Sequence, residues 1–164
     1  LSFEVCQFWR SIGTLILHGL LYVYTPDLPE KVSKGHRIIC TKRRKRHKGC
    51  GRCFSMRLSS YLPHVWYTTH TFWDFIVALL VKLQPIRQIY TALGVSLKTA
   101  YRLFARFKQS QASIRTLLTR VTSPPDNDSS FLYKQTVEHL TKAFPQSKNP
   151  IASFHYYFQK PFLV

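Results

Sequence analysis

IRQIYTALGVSLKTAYRLFARF, residues 86 to 107, sets two helical patterns on either side of a glycine. Pro85 opens the first pattern, where a first-turn proline sacrifices no helical hydrogen bond. Gly94 ends it, and Ser96 is a good N-cap for the second. Two helices joined at a steep angle need a residue that tolerates positive φ in the turn, and Gly94 supplies it. Ile89, Leu93, Val95, Ala100 and Leu103 are spaced to lock the pair together, and the small Ala100 suits close approach. On the second helix Lys98, Thr99, Arg102 and Arg106 fall on or near one face. Such a face presents donors to the major groove of a duplex and to its flanking phosphates. Tyr101 is placed to meet a phosphate or a thymine methyl, or to pack. The plainer alternative is a helical hairpin with a basic face.

Upstream, FWDFIVALLVKL has apolar residues at helical spacing, and Thr71 with Asp74 three places on resembles a capping-box start. Downstream, SQASIRTLLTR continues helically to about Arg120. TSPPDNDSS (122–130) has the composition of a linker. FLYKQTVEHLTKAF then reads as an amphipathic helix ending at Pro145, followed by a short helix and an apolar tail in NPIASFHYYFQKPFLV. This aromatic segment either completes the helical core or exposes an apolar face to a partner. Packing onto its own helices is favoured, because so short a helical unit has a thin core by itself.

The first third is β-like. LILHGLLYVYT reads as a strand ended by Pro26 and Pro29, and HRIIC (36–40) as a second strand. The basic run 42–48 is the loop after it, with a turn at Gly49 to Arg52, and FSMRLSSYLP leads out to Pro63. The fold class is therefore α+β, a small β N-terminal part followed by a helical bundle. The divisions are 1–65, 66–121, a linker at 122–130, and a C-terminal segment 131–164.

Charge is far from balanced: 24 Lys and Arg face 7 Asp and Glu, a formal net charge of +17. Residues 1–70 hold 12 basic and 3 acidic side chains, 71–120 hold 8 and 1, and 121–164 hold 4 and 3. The excess over the first two-thirds suits a polyanion, with nucleic acid the leading partner. No stretch is long enough to span a bilayer, since IGTLILHGLLYVY is broken by His18 and Gly19 well short of the roughly 20 residues required. No membrane partner is expected. The protein is read as cytoplasmic and nucleoid-associated.

ALGVSLKTAYR resembles the helix-turn-helix units of transposases and resolvases, which follow I-x-x-x-L-G-V-S-x-x-T-x-Y-R. Ile89, Leu93, Gly94, Val95, Ser96, Thr99, Tyr101 and Arg102 carry the match. Tyr90 departs from it, where the family usually has a small residue. The N-terminal part is similar to the zinc ribbons that precede such units in insertion-sequence transposases and their accessory proteins. Cys6-Gln-Phe-Trp9-Arg-Ser11 and Leu15-Ile16-Leu-His18-Gly19 follow the first knuckle and its hairpin. Cys50-Gly51-Arg52-Cys53-Phe54-Ser55 follows the second. Trp9 stands where a ligand belongs, His47 stands where a cysteine would precede Cys50, and Cys53 takes the usual threonine position.

The resemblance implies a bound zinc ion, with Cys6, Cys40, Cys50 and Cys53 as candidate ligands and His47 in reserve; the alternative is a decayed ribbon. It implies backbone contacts from Lys42, Arg43, Arg44, Lys45, Arg46, Lys48, Arg52, Ser96 and Tyr101. Base reading falls to Lys98, Thr99, Arg102 and Arg106.

Nuclease chemistry at two metal ions needs about three converging carboxylates. The acids Glu4, Asp27, Glu30, Asp74, Asp126, Asp128 and Glu138 are scattered, and no nucleophile motif or glycine-rich phosphate loop occurs. The chain is expected not to be an enzyme. It is read as a sequence-selective binder of double-stranded DNA, transposase-like or accessory, acting as a homodimer or with a separate transposase subunit. The rivals are a protein–protein adaptor docking through the aromatic C-terminal segment, and an RNA-binding basic ribbon.

Overall fold

Aliphatic and aromatic residues in TLILHGLLYVYT favour an extended chain. In a computed structural model, which describes residues 14–25, 28–41, 50–62, 67–125 and 131–163, this stretch is strand β1 (Thr14–Thr25). It pairs antiparallel with β2 (Leu28–Thr41), which pairs antiparallel with β3 (Cys53–Arg57), in the order β1-β2-β3. The architecture is α+β: a small antiparallel sheet precedes a set of helices. The chain divides into two compact units, Leu1–Leu58 and Ser59–Val164.

The sheet corrects two readings. β2 is much longer than HRIIC, so Pro29 does not end the β pattern but lies second in that strand. A proline is tolerated at a strand start because few ladder bonds are lost there. The hairpin closes at Thr25↔Leu28 and not at His18-Gly19. Leu17 faces Ile38 while Gly19 faces Arg37, which leaves His18 as the extra residue of a mid-strand bulge. On β2 the alternation is clear, with Ile38 and Cys40 buried around the half-buried Ile39.

The helical unit starts from a short bridge, Tyr61↔Thr68, beside which the Thr69 N–H donates to the Ser60 carbonyl at 2.8 Å. That bridge holds Thr68 extended (φ −73°, ψ 154°), so helix α1 (Thr69–Leu80) begins directly after it. Thr68 is the N-cap: its hydroxyl accepts from the Thr71 N–H at 3.1 Å. The cap expected at Thr71 is therefore one turn late. Asp74 instead meets His70 at 3.2 Å on the exposed side of α1.

Helix α2 (Ile86–Ile89) follows with Pro85 as its N-cap and passes into a 3-10 turn at Tyr90–Leu93. The change of winding begins at Tyr90. Helix α3 (Leu97–Leu118) runs without a break for 22 residues, then α4 (Leu132–Ala143) and α5 (Pro150–Phe158) complete the unit.

One apolar core joins all five helices and the residues after α5. Phe72, Ile76, Phe107, Leu118, Leu140, Ile151, Phe154 and Phe162 are each 0% exposed. The Phe107 ring stacks on Phe162 with centroids 5.8 Å apart, and Phe72 meets both edge-on. The C-terminal aromatics thus split: Phe154 and Phe162 are core, while Tyr156 and Tyr157 face solvent.

Buried polar groups tie elements in pairs. Thr136 of α4 donates to the Gln111 side-chain oxygen of α3, and Gln111 Nε2 donates to the Phe107 carbonyl at 2.9 Å. Asn149 caps α5 through the Ala152 N–H at 3.2 Å and donates to Thr69 of α1 at 2.8 Å. The His139 ring, 1% exposed, meets the Thr122 carbonyl at 2.9 Å.

His155 ties the two ends of the helical unit. Its Nε2 accepts the Phe162 N–H at 2.9 Å, so Nδ1 carries the proton and donates to the Ser59 carbonyl at 3.0 Å. Burial pushes the His155 pKa below its ordinary value of 6.5, against the opposing pull of the Ser59 carbonyl. A cationic imidazole would turn an N–H against the Phe162 N–H, so the neutral form fits. A lowered folded-state pKa contributes stability that is full above the unfolded pKa and fades as pH falls below it. Thermal unfolding followed by circular dichroism at 222 nm should therefore show falling stability from pH 6.5 downward. The slope for this one proton is at most about 1.4 kcal/mol per pH unit. His155→Gln should be less stable at pH 7.5 and should lose this component of the slope.

Candidate nucleic-acid interface

The interface is built from the turn at Gly94 outward. Gly94 adopts φ 61°, ψ 31°, and its N–H donates to the Thr91 carbonyl at 2.9 Å. A Cβ there would meet nothing within 4 Å, so the glycine is required by backbone geometry and not by crowding. Two residues on, the Ser96 hydroxyl accepts the Thr99 N–H at 3.3 Å and lies 3.0 Å from the Thr99 hydroxyl. Leu93, Ala100 and Leu103 are buried in one cluster with Ile89 and Val95 packed against it, which anchors the front of α3 on α2 and the 3-10 turn.

That anchoring determines what α3 presents. Its buried row is Ala100, Leu103, Phe107, Ser110, Gln111, Ile114 and Leu118. On the opposite side Lys98, Tyr101, Arg102, Ala105, Lys108, Gln109 and Ala112 are exposed. Of the sequence-derived base readers, Lys98 and Arg102 stand at the centre of this face. Thr99 and Arg106 are half-buried at its edge, at about 80–100° from Lys98 around the axis. Thr99 is also engaged with the cap at Ser96. Tyr101 is 47% exposed and lies on the other edge. Ala105 and Gln109 share the central row, although neither belongs to the family-like pattern.

Electrostatically the face is one-sided. Helix α3 carries Lys98, Arg102, Arg106, Lys108 and Arg115 and no Asp or Glu. The His70–Asp74 contact lies within α1 and the Lys134–Glu138 ion pair within α4. The Lys108 ammonium sits 5.0 Å from the Phe104 ring centre and 5.9 Å from that of Tyr133.

In the sheet unit, Gly51 (φ 72°) and Arg52 together oppose Cys40. The Gly51 N–H donates to the Cys40 carbonyl at 2.8 Å, and the Cys40 N–H donates to the Arg52 carbonyl at 3.0 Å. This is a bulge with glycine at its left-handed position. It turns the Cys50 N–H onto the Cys40 sulfur at 3.4 Å. Cys53 faces Ile39 in the register, so its side chain leaves the sheet on the side opposite Cys40. Cys40 is fully buried while Cys53 is exposed.

A tetrahedral zinc site needs four donors. The structure brings Cys40 and Cys50 together and separates Cys53 from them. Among the described residues, no three His, Cys, Asp or Glu side chains gather as a metal site. Cys6, Trp9, His47 and the basic run Lys42 to Lys48 lie outside the described residues.

Elsewhere on the helical unit, Ser59, Phe144, Ala152, Ser153, Tyr156 and Tyr157 line an open groove of about 380 Å³. Among the described residues, no helix is long and apolar enough to cross a membrane.

No family model, curated protein or solved structure matches the chain.

The turn makes a direct prediction. Gly94→Ala should cost about 1–2 kcal/mol, the penalty for a side chain in the left-handed region. Ser96→Ala should cost about 1 kcal/mol through the lost cap. Urea unfolding followed at 222 nm measures both. A neutral Gly94→Ala would mean the turn relaxes freely.

Proposed function

We propose that the helical unit binds duplex DNA as a helix-turn-helix, with the N-terminal half of α3 in the major groove. The observation that carries this reading is the exposed, acid-free face of α3, held outward by the core beneath it. Lys98 and Arg102 are long donors at the centre of that face, suited to guanine edges and phosphates. Ser96 and Tyr101 lie at its margins, where they meet backbone. Arg37, Arg52 and Arg57 are exposed on the sheet unit and add sequence-independent attraction.

The chain does this without cutting. Asp74 meets the His70 ring on α1 and Glu138 meets the Lys134 ammonium on α4, and among the described residues no group of acids gathers as a metal-binding centre. The family-like pattern around Gly94 supports a transposase-like or accessory role. A second reading, a protein-docking subunit, draws support from the exposed Tyr156 and Tyr157 beside the groove at Phe144.

Titration of the full chain against duplex DNA separates these. With about six phosphates neutralised, log affinity should fall with log salt at a slope near about −5. Lys98→Ala and Arg102→Ala should each relax sequence preference, costing about 1–3 kcal/mol on the preferred site. A docking subunit would bind duplex weakly and without preference, and structured RNA would compete equally if the fold read shape alone.

Zinc, where it is held, draws on Cys40 and Cys50 and not on Cys53. Elemental analysis of the purified protein should find metal content lowered by Cys40→Ser and unchanged by Cys53→Ser. Equal loss in both variants would mean that Cys53 reaches the ion.

A further inference from the structure

We infer that Gln109 is a specificity-determining residue that reads an adenine edge, extending the reading surface of α3 two turns beyond the family-like pattern. This rests on the proposal that α3 enters the major groove.

Spacing comes first. Lys98, Arg102, Ala105 and Gln109 are separated by four, three and four residues, so they form one row along the helix. All four are exposed, and the row lies opposite Leu103, Phe107 and Ile114, which are buried. From Lys98 to Gln109 the helix rises about 16 Å, the length of about five base pairs. A helix about 10–12 Å across fits a groove about 12 Å wide.

Size comes next. A residue in the fourth turn of α3 reaches the groove floor only if the turn before it does not hold the helix away. Ala105 occupies that turn, and its methyl group lets the helix backbone lie close to the bases. It is also the right size to meet a thymine methyl.

The flanks match the groove walls. Arg106 lies on one side of the row, and Tyr101 with Lys108 on the other. A helix in a groove faces one phosphate strand on each side, and here each side holds a cation. Lys108 is kept in place over Phe104 and Tyr133. Arg106 accordingly moves from base reading to backbone contact, and Thr99 serves the Ser96 cap.

The chemistry selects the base. The end of a glutamine side chain carries an acceptor and a donor side by side, which matches the donor and acceptor of adenine in the major groove. Gln111, two residues on, uses the same groups internally, bonding Phe107 and Thr136. Gln109 points the other way, into solvent.

The test is selection of bound duplexes from a random pool with the full chain, followed by sequencing. Wild type should enrich a site with an adenine about three base pairs from the position that Arg102→Ala relaxes. Gln109→Ala should lose preference at that adenine by about tenfold and keep the rest of the site. Gln109→Glu should shift the same position toward cytosine, whose amino group a carboxylate accepts. Because Gln109 is exposed, both variants should keep the wild-type signal at 222 nm. A selected site identical in wild type and Gln109→Ala overturns the assignment and leaves groove binding by Lys98 and Arg102 standing. If wild type enriches no site while it still binds DNA, base reading by α3 is wrong and the assignment falls with it.

Discussion

The packing of Phe107 governs the outward face of the helical unit. This ring is fully buried, stacked on Phe162 and met edge-on by Phe72, so one residue of α3 touches both α1 and the C-terminal tail. Burial of such a side chain is worth about 1.5–3 kcal/mol, and no other rotation of α3 would preserve it. Side chains advance about 100° per residue around a helix. Once Phe107 is placed, Lys98 and Arg102 face outward and Ala100 and Leu103 face in.

The polar contacts act on the same problem from the rear. A helix held only by apolar contacts can slide or roll at small cost, because such contacts are non-directional. Gln111 bonded to Thr136 fixes α3 against α4, and Asn149 bonded to Thr69 fixes α5 against α1. His155 then closes the unit by joining Phe162 to Ser59. The segment after the linker is therefore not an appendage. Its residues supply the floor on which α3 rests, which is why a near-neutral tail belongs to a cationic protein.

Much of this was legible in the residues. Helical spacing located α1, α3, α4 and α5, and Gly94 and Ser96 have the conformations their chemistry suggested. The start of α1 is ambiguous in the sequence because Thr68 and Thr71 are both competent caps, and the bridge to Tyr61 selects between them. The length of β2 is hidden in the sequence because Pro29 signals a break, whereas strand pairing tolerates it near the start. The cysteines show the limit of spacing. Cys40, Cys50 and Cys53 look like a cluster along the chain, yet strand alternation sends Cys53 to the opposite face from Cys40. Gln109 and Gln111 are indistinguishable by type and nearly so by position. Which one is spent in the core depends on where α4 lies, and no local pattern encodes that.

A final step concerns what the cationic face costs. Lys98 with Arg102, and Arg102 with Arg106, are like charges four residues apart, each pair unfavourable by a few tenths of a kcal/mol. No acid on α3 relieves them, and α3 has no acidic residue in its first turn to complement the helix dipole. Folding alone would be served better by glutamates at exposed positions such as Ala105, Gln109 or Ala112. The protein instead tolerates self-repulsion on a helical face opposite its buried row. Such an arrangement is stabilised when an anion lies along it, which is what the proposed duplex contact would supply.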